Sequence, residues 1–391
     1  MDRPSRPAPS RGFFVALAVL AVVAVVVAVL SLGSGPVQPA SPAPTATAGG
    51  SSATASGPSS TAPSPTTSAT PLPTDTPVGV ARWAAVTSTA PGPAPRSGHS
   101  WTVDPSSAVA YLFGGRGPTG PLADVWAYDL TADRWSQLRP DGEGPTARFE
   151  HGAAWVDGLG VVVFGGRTEA GVLDDFWAFD PGANAWRTLD VAGPQPSARA
   201  AACVALRTDG RMWLYGGAGA SGAAPGELWT YGPGPSSWSQ HEVDGGPGGR
   251  AGSACWWSAD DRLVVHGGLV PDATSSPLGD LWAFDPDAGA DGAWQSVDRA
   301  DLAPRARAAV TMTSHGGLVV GGVGEGDALL ADAVVFDATS LEPNVLRSPA
   351  DGPAARSGAA LADDPEGERT LLYGGLSASG PLGDLWGLDL P

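Results

Sequence analysis

The 391-residue chain contains no lysine and no isoleucine, and it has only two asparagines and two cysteines. Two cysteines permit at most one disulfide and exclude a metal cage built from cysteine thiolates. All 22 basic side chains are arginines, set against 40 acidic residues, and the net charge is −18. Binding to nucleic-acid phosphates requires clustered cations, so this balance argues against a nucleic-acid partner.

Familiar catalytic signatures are missing as well. The chain has no Gly-x-Ser-x-Gly, no His-Glu-x-x-His and no phosphate-binding loop. Its 55 glycines and 38 prolines are typical of many short strands joined by tight turns. The sequence therefore predicts neither a cofactor nor a metal ion, and it leaves enzymatic activity uncertain.

The N-terminal residues have the pattern of a membrane anchor. Residues 1–12 carry three arginines, and Phe13–Leu32 follows as a run of 20 residues in which only Ser31 is polar. At about 1.5 Å per residue, this run spans a hydrocarbon core of about 30 Å. We predict an uncleaved transmembrane signal anchor over 13–32, with 1–12 as a cytoplasmic tail and the rest of the chain outside. A cleaved signal peptide, which would give a secreted protein, is the alternative.

Residues 33–77 consist almost wholly of Pro, Ser, Thr, Ala and Gly, with Asp75 as the only charge. Such a segment cannot bury enough apolar surface to fold, so we predict an extended, disordered linker. At about 3.1 Å per residue in the polyproline conformation, it would hold a domain on the order of 100 Å from the membrane.

A unit of about 50 residues repeats from residue 78 onward. It is clearest at Arg148–Trp186, where an apolar run ends in two glycines and is followed by a carboxylate, an alternating aromatic segment and a second tryptophan. Successive glycine pairs are 51, 51, 51, 54 and 53 residues apart, at Gly114-Gly115, Gly165-Gly166, Gly216-Gly217, Gly267-Gly268, Gly321-Gly322 and Gly374-Gly375. Four short β signals in each unit at this period are typical of propeller blades, with strands a to d in chain order.

Only strands a to c of the sixth unit are predicted at the C-terminal end of the domain. Its strand d is predicted at the N-terminal end of the domain. Arg82-Trp83 has the same context as Arg134-Trp135, since each tryptophan lies 13 residues before an arginine that opens a strand a. Residues 79–87 are therefore expected to pair beside the last strand and close the ring, which removes an exposed sheet edge. The predicted fold over 78–391 is an all-β, six-bladed β-propeller.

These units resemble kelch repeats. The resemblance rests on the segment Pro95–Ser100 (PRSGHS), on the aliphatic run before Gly-Gly, and on Leu-x-Asp-x-Trp-x-Tyr/Phe-Asp with a tryptophan nine residues later. It covers about 79–391 and is weakest in the fifth unit. The resemblance implies a propeller of a family whose members mostly bind partners. A minority of members are enzymes, including copper radical oxidases and a sialic-acid epimerase.

Charges that recur in every unit favour a structural role. The carboxylates before the first tryptophan are Asp124, Asp175, Glu227, Asp280, Asp332 and Asp384. The arginines before strand a are Arg96, Arg148, Arg199, Arg250 and Arg356, with Arg305 or Arg307 in the fifth unit. Both sets fall at the same end of the strands, so they are expected to form structural Arg–carboxylate pairs or, as the alternative, a ring that contacts a ligand.

Residues that break the repeat are the better candidates for a binding site. Only the first two units place arginine directly after the glycines, at Arg116 and Arg167, and only they place histidine three residues after the strand-a arginine. A local excess of cations on an acidic protein suits a carboxylate, sulfate or phosphate group. The predicted ligand-binding set is Arg96, His99, Arg116, Arg148, His151 and Arg167. The alternative is that the histidines are inner-strand residues and the loop arginines are only solvated.

Cys203 and Cys255 are four and five residues after the arginines of neighbouring units. The offset of one residue reverses the side-chain direction, so both cysteines face their shared gap or both face away from it. A disulfide is permitted outside the cell, and buried thiols are the alternative.

These observations predict a membrane-anchored, extracytoplasmic module that recognises a protein or glycan of the cell envelope through one propeller face. The alternative is an epimerase-like enzyme acting on an acidic sugar, with Glu150 and His151 as weak candidates for the catalytic acid and base. A purely structural spacer is the third possibility.

Overall fold

The computed structural model describes residues 79–222, 224–232, 236–270, 276–299, 302–365 and 369–390. The predicted tail, anchor and linker over 1–77 lie outside these ranges. Within the described ranges, no helix has both the length and the apolar character needed to cross a membrane.

Six sheets form the blades, each with four antiparallel strands in the order a-b-c-d from the channel outward, and the sheet of blade five has a fifth, parallel strand at its outer edge. The a strands are Ser100–Asp104, Gly152–Val156, Cys203–Leu206, Ala254–Trp257, Ala309–Thr313 and Ala360–Asp363. The b strands are Val109–Phe113, Gly160–Arg167, Met212–Tyr215, Leu263–His266, Gly316–Val320 and Thr370–Tyr373. The c strands are Val125–Asp129, Val172–Asp180, Leu228–Tyr231, Leu281–Asp285, Ala333–Asp337 and Leu385–Asp389. The d strands are Arg134–Leu138, Ala185–Thr188, Trp238–His241, Ala293–Val297, Pro343–Arg347 and, for blade six, Arg82–Ala85.

The N-terminal segment closes the ring as the sequence predicts. Arg82–Ala85 pairs antiparallel with strand c of blade six, with Trp83 opposite Leu388. Gly79–Val80 also pairs in parallel with the outermost strand of blade five, a contact that the repeat pattern does not indicate. The same short stretch therefore connects two blades and covers the edge of each.

Hydrophobic side chains pack between blades, because each sheet is covered by a neighbour on both faces. Six clusters of buried residues occupy the six interfaces between adjacent blades. Between blades two and three, for example, Phe176 meets Tyr231 edge to face, with ring centroids 4.8 Å apart. The consecutive valines Val161–Val163 are all buried, which explains why the b strands are apolar runs rather than alternating ones.

The paired glycines bring each strand b against the next blade. Gly165 has φ +62°, and a Cβ there would lie 2.6 Å from the carbonyl oxygen of Arg199. The N–H of Gly166 donates to that same oxygen at 2.9 Å. A side chain at Gly165 would separate the blades, so the first glycine is required by close backbone approach.

Candidate functional site

The six strand-a arginines form buried ion pairs with the carboxylates of their own blades. The pairs, at 2.6–2.8 Å, are Arg96–Asp124, Arg148–Asp175, Arg199–Glu227, Arg250–Asp280, Arg305–Asp332 and Arg356–Asp384. Each guanidinium group also donates to the carbonyl oxygen of the first paired glycine in its blade. These contacts tie strands a, b and c together within a blade, so the arginines act as framework residues.

The Arg96–Asp124 pair of blade one shows how a buried arginine affects the pKa of its carboxylate partner. Arg96 is completely buried and holds both oxygens of Asp124, one of which also accepts a hydrogen bond from Trp126 Nε1 at 2.7 Å. Burial alone would raise the pKa of Asp124, but the hydrogen bonds and charge of Arg96 outweigh it and hold the pKa below its ordinary value. In blade five the framework arginine is Arg305, which leaves Arg307 for a different position.

Two residues after each framework arginine, the backbone forms a closed ring around the channel. We call these residues the channel ring: Gly98, Glu150, Ala201, Gly252, Arg307 and Gly358. Each N–H in the ring donates to the carbonyl oxygen of its counterpart in the preceding blade at 2.7–2.8 Å, and the bond from Gly98 to Gly358 completes the circle. All six residues have left-handed backbone conformations, with φ between +53° and +68°.

Three members of the channel ring are not glycine. Glu150, Ala201 and Arg307 hold φ values of +55°, +53° and +55°, which cost on the order of 1–3 kcal/mol each. The surrounding hydrogen bonds impose this conformation regardless of the side chain. Glu150 and Arg307 are therefore strained charged residues whose side chains are placed at the entrance of the channel.

A cavity of about 490 Å³ opens at the centre of the face where the a strands begin. We call it the mouth cavity and this side of the propeller the mouth face. Every blade contributes to its lining, which includes all six members of the channel ring. The charged side chains at its wall are Arg116, Glu150, Arg167 and Arg307. Phe149, Ala201 and Leu376 supply apolar surface. A narrower cavity of about 230 Å³ lies along the a strands below it and shares His151 in its lining.

Glu150 connects two arginines at the mouth. Its Oε1 lies 3.1 Å from Nε of Arg307, which belongs to the blade on the opposite side of the ring, and its Oε2 lies 3.8 Å from Nε of Arg167. The Glu150 side chain is only 16% exposed, whereas Arg167 and Arg307 are 41% and 47% exposed. The carboxylate is thus the more enclosed partner, and the two arginines retain open surface.

Arg116 stands on the same rim. Its guanidinium group lies over the ring of Phe149, 5.2 Å from the centroid, and 3.3 Å from the exposed carboxylate of Glu169. The mouth cavity is therefore lined by three half-exposed arginine side chains, one enclosed carboxylate and an apolar wall. This combination suits an anionic group attached to an apolar body.

The structure separates the six side chains of the predicted ligand-binding set into two layers. Arg116, His151 and Arg167 line the mouth cavity. Arg96 and Arg148 lie behind it in buried pairs, and His99 lies deeper, along the a strands. The repeat pattern indicates this division, because Arg96 and Arg148 recur in every unit whereas Arg116 and Arg167 interrupt the repeat.

His99 is buried and His151 is half-buried, and both are uncharged at neutral pH. Burial, together with the positive charge of Arg96, lowers the pKa of His99 to about 3. Burial and the charge of Arg148 lower the pKa of His151 to about 3, and its Nε2 lies 2.8 Å from Ser100 Oγ. Neither imidazole adds positive charge to the site, so its cationic character comes from the arginines alone.

Glu150 and His151, the candidates for the acid and base of an enzyme, both line the mouth cavity. The Glu150 carboxylate lies beside two guanidinium groups, and Nε2 of His151 lies beside the hydroxyl group of Ser100. Their catalytic roles stay a prediction. Among the described residues, no group of three or more His, Cys, Asp or Glu side chains is arranged to hold a metal ion.

The two cysteines lie beside the narrower cavity. Cys203 and Cys255, on the a strands of blades three and four, are joined by a disulfide with their Cα atoms 5.8 Å apart. Both side chains are buried between those blades. The bond fastens two adjacent inner strands at the channel wall.

Arg307 is the functional candidate that the repeat pattern left unassigned. The signal was present, because three ring positions follow the pattern Arg-x-Gly and Arg307 occupies the glycine position after Arg305. A charged residue in place of glycine at a position with positive φ motivates the hypothesis that its side chain has a function. Glu150 departs from the pattern in the same way.

Comparison with known proteins agrees with this architecture. A sequence model of the KLHDC2/KLHL20/DRC7 Kelch-repeats domain matches residues 76–268 and 161–320, which together span more than half of the chain. The rat Rab9 effector protein with kelch motifs is 29% identical over 203 residues, 49% of this chain and 54% of that protein. The chain thus matches about half the length of this relative.

Two larger proteins contain similar segments. Multiple epidermal growth factor-like domains protein 8 of the mouse is 29% identical over 315 residues, 76% of this chain and 11% of that protein. The flagellar outer-arm dynein alpha chain of Chlamydomonas reinhardtii is 32% identical over 156 residues, 38% of this chain and 3% of that protein. With six blades, buried Arg–carboxylate pairs and a family match across most of the propeller, the chain belongs to the kelch-repeat family.

Proposed function

We propose that the propeller is a protein-interaction module that docks its partner on the mouth face. The observation that carries this proposal is the mouth cavity, an opening of about 490 Å³ to which every blade contributes. Loops held by a rigid scaffold are where proteins usually place their binding residues. Here the rim loops carry Arg116 and Arg167, and the channel ring adds Glu150 and Arg307.

The comparisons support a protein as the class of partner. The Rab9 effector relatives are named for a protein partner, and the kelch family model matches the propeller up to residue 320. The identity of the partner does not transfer, because those relatives extend well beyond the matched region. We favour a protein over a glycan because half-exposed arginines beside apolar surface are the usual composition of protein contact sites.

The test uses two exposed leucines at opposite ends of the blades. Leu376 lines the mouth cavity and is 42% exposed, whereas Leu206 ends strand a of blade three at the opposite face and is 38% exposed. A photo-cross-linking residue replaces one or the other in the full-length chain, which is irradiated in the cells that produce it. Adducts are then separated and identified by mass spectrometry.

We expect a discrete protein adduct from position 376 and not from position 206. The absence of an adduct from 376, or the same adducts from both positions, would overturn docking on the mouth face. An adduct whose added mass is removed by glycosidases rather than proteases would replace the protein partner with a glycan.

We further propose that the propeller works outside the cell, held near the envelope by residues 13–32 and the linker over 33–77. The support is the apolar run preceded by arginines and followed by an uncharged Pro- and Ser-rich segment. Amine-reactive labels are unsuitable because the chain has no lysine, so the test replaces Leu376 with cysteine. A membrane-impermeant maleimide should label intact cells, whereas labelling only after lysis would refute this location.

A further inference from the structure

Glu150 is the one acidic residue among the six members of the channel ring. Its counterparts are three glycines, an alanine and Arg307. The ring imposes φ +55° on Glu150, a conformation that glycine adopts freely. The backbone conformation therefore does not require glutamate at this position.

The Glu150 carboxylate occupies a position that also suits a carboxylate or phosphate group of a ligand. Over the described part of the chain, it is the carboxylate that lies within 4 Å of both Arg167 and Arg307. Arginine binds carboxylates and phosphates through a planar array of N–H donors, and it does so best where water is partly excluded. Both arginine side chains line the mouth cavity and are more than 40% exposed, so a second anion can approach them.

We infer that Glu150 is an internal substitute for a partner's acidic side chain, which displaces it from Arg167 and Arg307 on docking. This inference rests on the proposed docking on the mouth face and names the chemistry of the partner: an acidic segment with apolar neighbours. The carboxylate of such a segment replaces Glu150, and its apolar side chains contact Phe149 and Leu376 at the wall of the cavity.

The need to displace Glu150 makes the site select an acidic segment over isolated anions. Isolated anions must compete with a carboxylate that is already tethered beside the arginines at high effective concentration. An acidic segment offsets this competition with its apolar contacts and with the third guanidinium group, that of Arg116, over Phe149. Glu150 therefore lowers the affinity for every anion, and only ligands with additional contacts overcome it.

The experiment measures the binding of a defined peptide to the full-length protein. The probe is a fluorescein-labelled peptide of alternating Asp and Leu residues with an amidated C-terminus, and its neutral counterpart has Asn in place of Asp. Fluorescence anisotropy gives the Kd at low ionic strength, where charge pairs are least screened. Inorganic phosphate is titrated separately as a free anion without apolar contacts.

The variants separate the role of Glu150 from a general change of charge. Glu150→Gln removes the charge, and Glu150→Gly installs the residue found in blades one, four and six. Glu342→Gln is the matched control, because Glu342 also pairs with an arginine, Arg299 at 3.0 Å, and lies outside the mouth cavity. The double variant Arg167→Ala/Arg307→Ala removes the proposed anion position.

We expect both Glu150 variants to bind the acidic peptide and phosphate roughly tenfold more tightly than the wild type, the effect of one competing charged contact. Glu342→Gln should change the Kd less than twofold, and the double arginine variant should abolish the preference for the acidic peptide. Unfolding midpoints of all variants show that the propeller remains folded.

The outcomes distinguish this inference from the proposed function. If binding depends on Arg167 and Arg307 but Glu150→Gln leaves the affinity unchanged or weaker, the internal-substitute role is wrong and docking on the mouth face stands. If no variant prefers the acidic peptide to its neutral counterpart, the acidic partner is wrong, and the cross-link at position 376 decides separately whether the mouth face docks a protein.

Discussion

Glu150 and Arg307 come from blades on opposite sides of the ring, and their side chains meet over the channel with 3.1 Å between Oε1 and Nε. Both residues also hold left-handed backbone conformations within the same circle of hydrogen bonds. The ion pair therefore bridges the entrance without belonging to any one blade. It depends on closure of the whole ring, because only then do the two residues face each other.

Strain in the channel ring is testable at Ala201, where no charge complicates the result. Ala201→Gly should raise the free energy of unfolding by about 1 kcal/mol, because glycine adopts φ +53° without steric cost. The reverse change at the equivalent position of blade six, Gly358→Ala, should lower it by a similar amount. Urea unfolding measures both. If both variants changed the free energy of unfolding equally and in the same direction, the channel ring would not be strained.

The framework pairs and the rim pairs should differ in their contribution to stability. Asp124→Asn leaves a fully buried guanidinium group without its countercharge, so we expect a loss of about 2–3 kcal/mol in the free energy of unfolding. Glu169→Gln removes the partner of exposed Arg116 and should cost less than about 1 kcal/mol. A comparable loss from both variants would show that burial does not distinguish the two kinds of pair.

The disulfide should stabilise the inner strands measurably. Cys203 and Cys255 are 52 residues apart, and closing a loop of this size in the unfolded chain is worth about 4 kcal/mol in the chain-entropy account, with measured values typically of about 2–4. Cys203→Ala/Cys255→Ala should therefore unfold at lower denaturant concentration. Reductant should lower the midpoint of the wild type and leave the variant unchanged, whereas an insensitive wild type would show that the bond contributes nothing.

Two aspartates near the ends of strands a should give opposite pH effects. Burial raises the pKa of Asp363 to about 6, against an opposing hydrogen bond from Thr370, so the folded state binds a proton more tightly than the unfolded state. Its contribution favours folding at low pH and is lost as the pH rises from about 4 to 6. Asp363→Asn should therefore stabilise the protein at pH 7.5, by roughly 1 kcal/mol after allowance for partial exposure, with a smaller difference at pH 4.

Asp104 is the matched comparison. Burial alone would raise its pKa, but hydrogen bonds from Ser107 and Ser106 outweigh that effect and lower it. Its contribution is present at neutral pH and is lost as the pH falls through the lowered pKa. Asp104→Asn should destabilise the protein at pH 7.5 and less so in acid. The same sign for both variants in denaturant unfolding at the two pH values would refute these pKa shifts.

Much of the fold was predictable because it repeats. The 50-residue period, the glycine pairs and the displaced Arg82-Trp83 each occur in a fixed relation to the strands, so six blades and the closing strand follow from counting. The Arg–carboxylate pairs were predictable for the same reason. The parallel contact of Gly79–Val80 with blade five was not, because it is made once and leaves no periodic trace.

The candidate site was predictable only in part. The rim arginines Arg116 and Arg167 stood out because they interrupt the repeat, and the structure places both at the mouth cavity. The pattern could not exclude Arg96 and Arg148, whose burial depends on neighbouring strands, and it left two candidates for the framework arginine of blade five. Assigning Arg305 to the framework places Arg307 in the channel ring.

The sequence by itself determined the number of blades, the way the ring closes and the residues that depart from the repeat, because these are properties of local spacing. Only the tertiary structure decided which charges from different blades meet. Glu150 and Arg307 are 157 positions apart in the chain, and no periodic pattern couples them. They interact because six blades closed into a ring bring opposite sides of the channel within the length of two side chains.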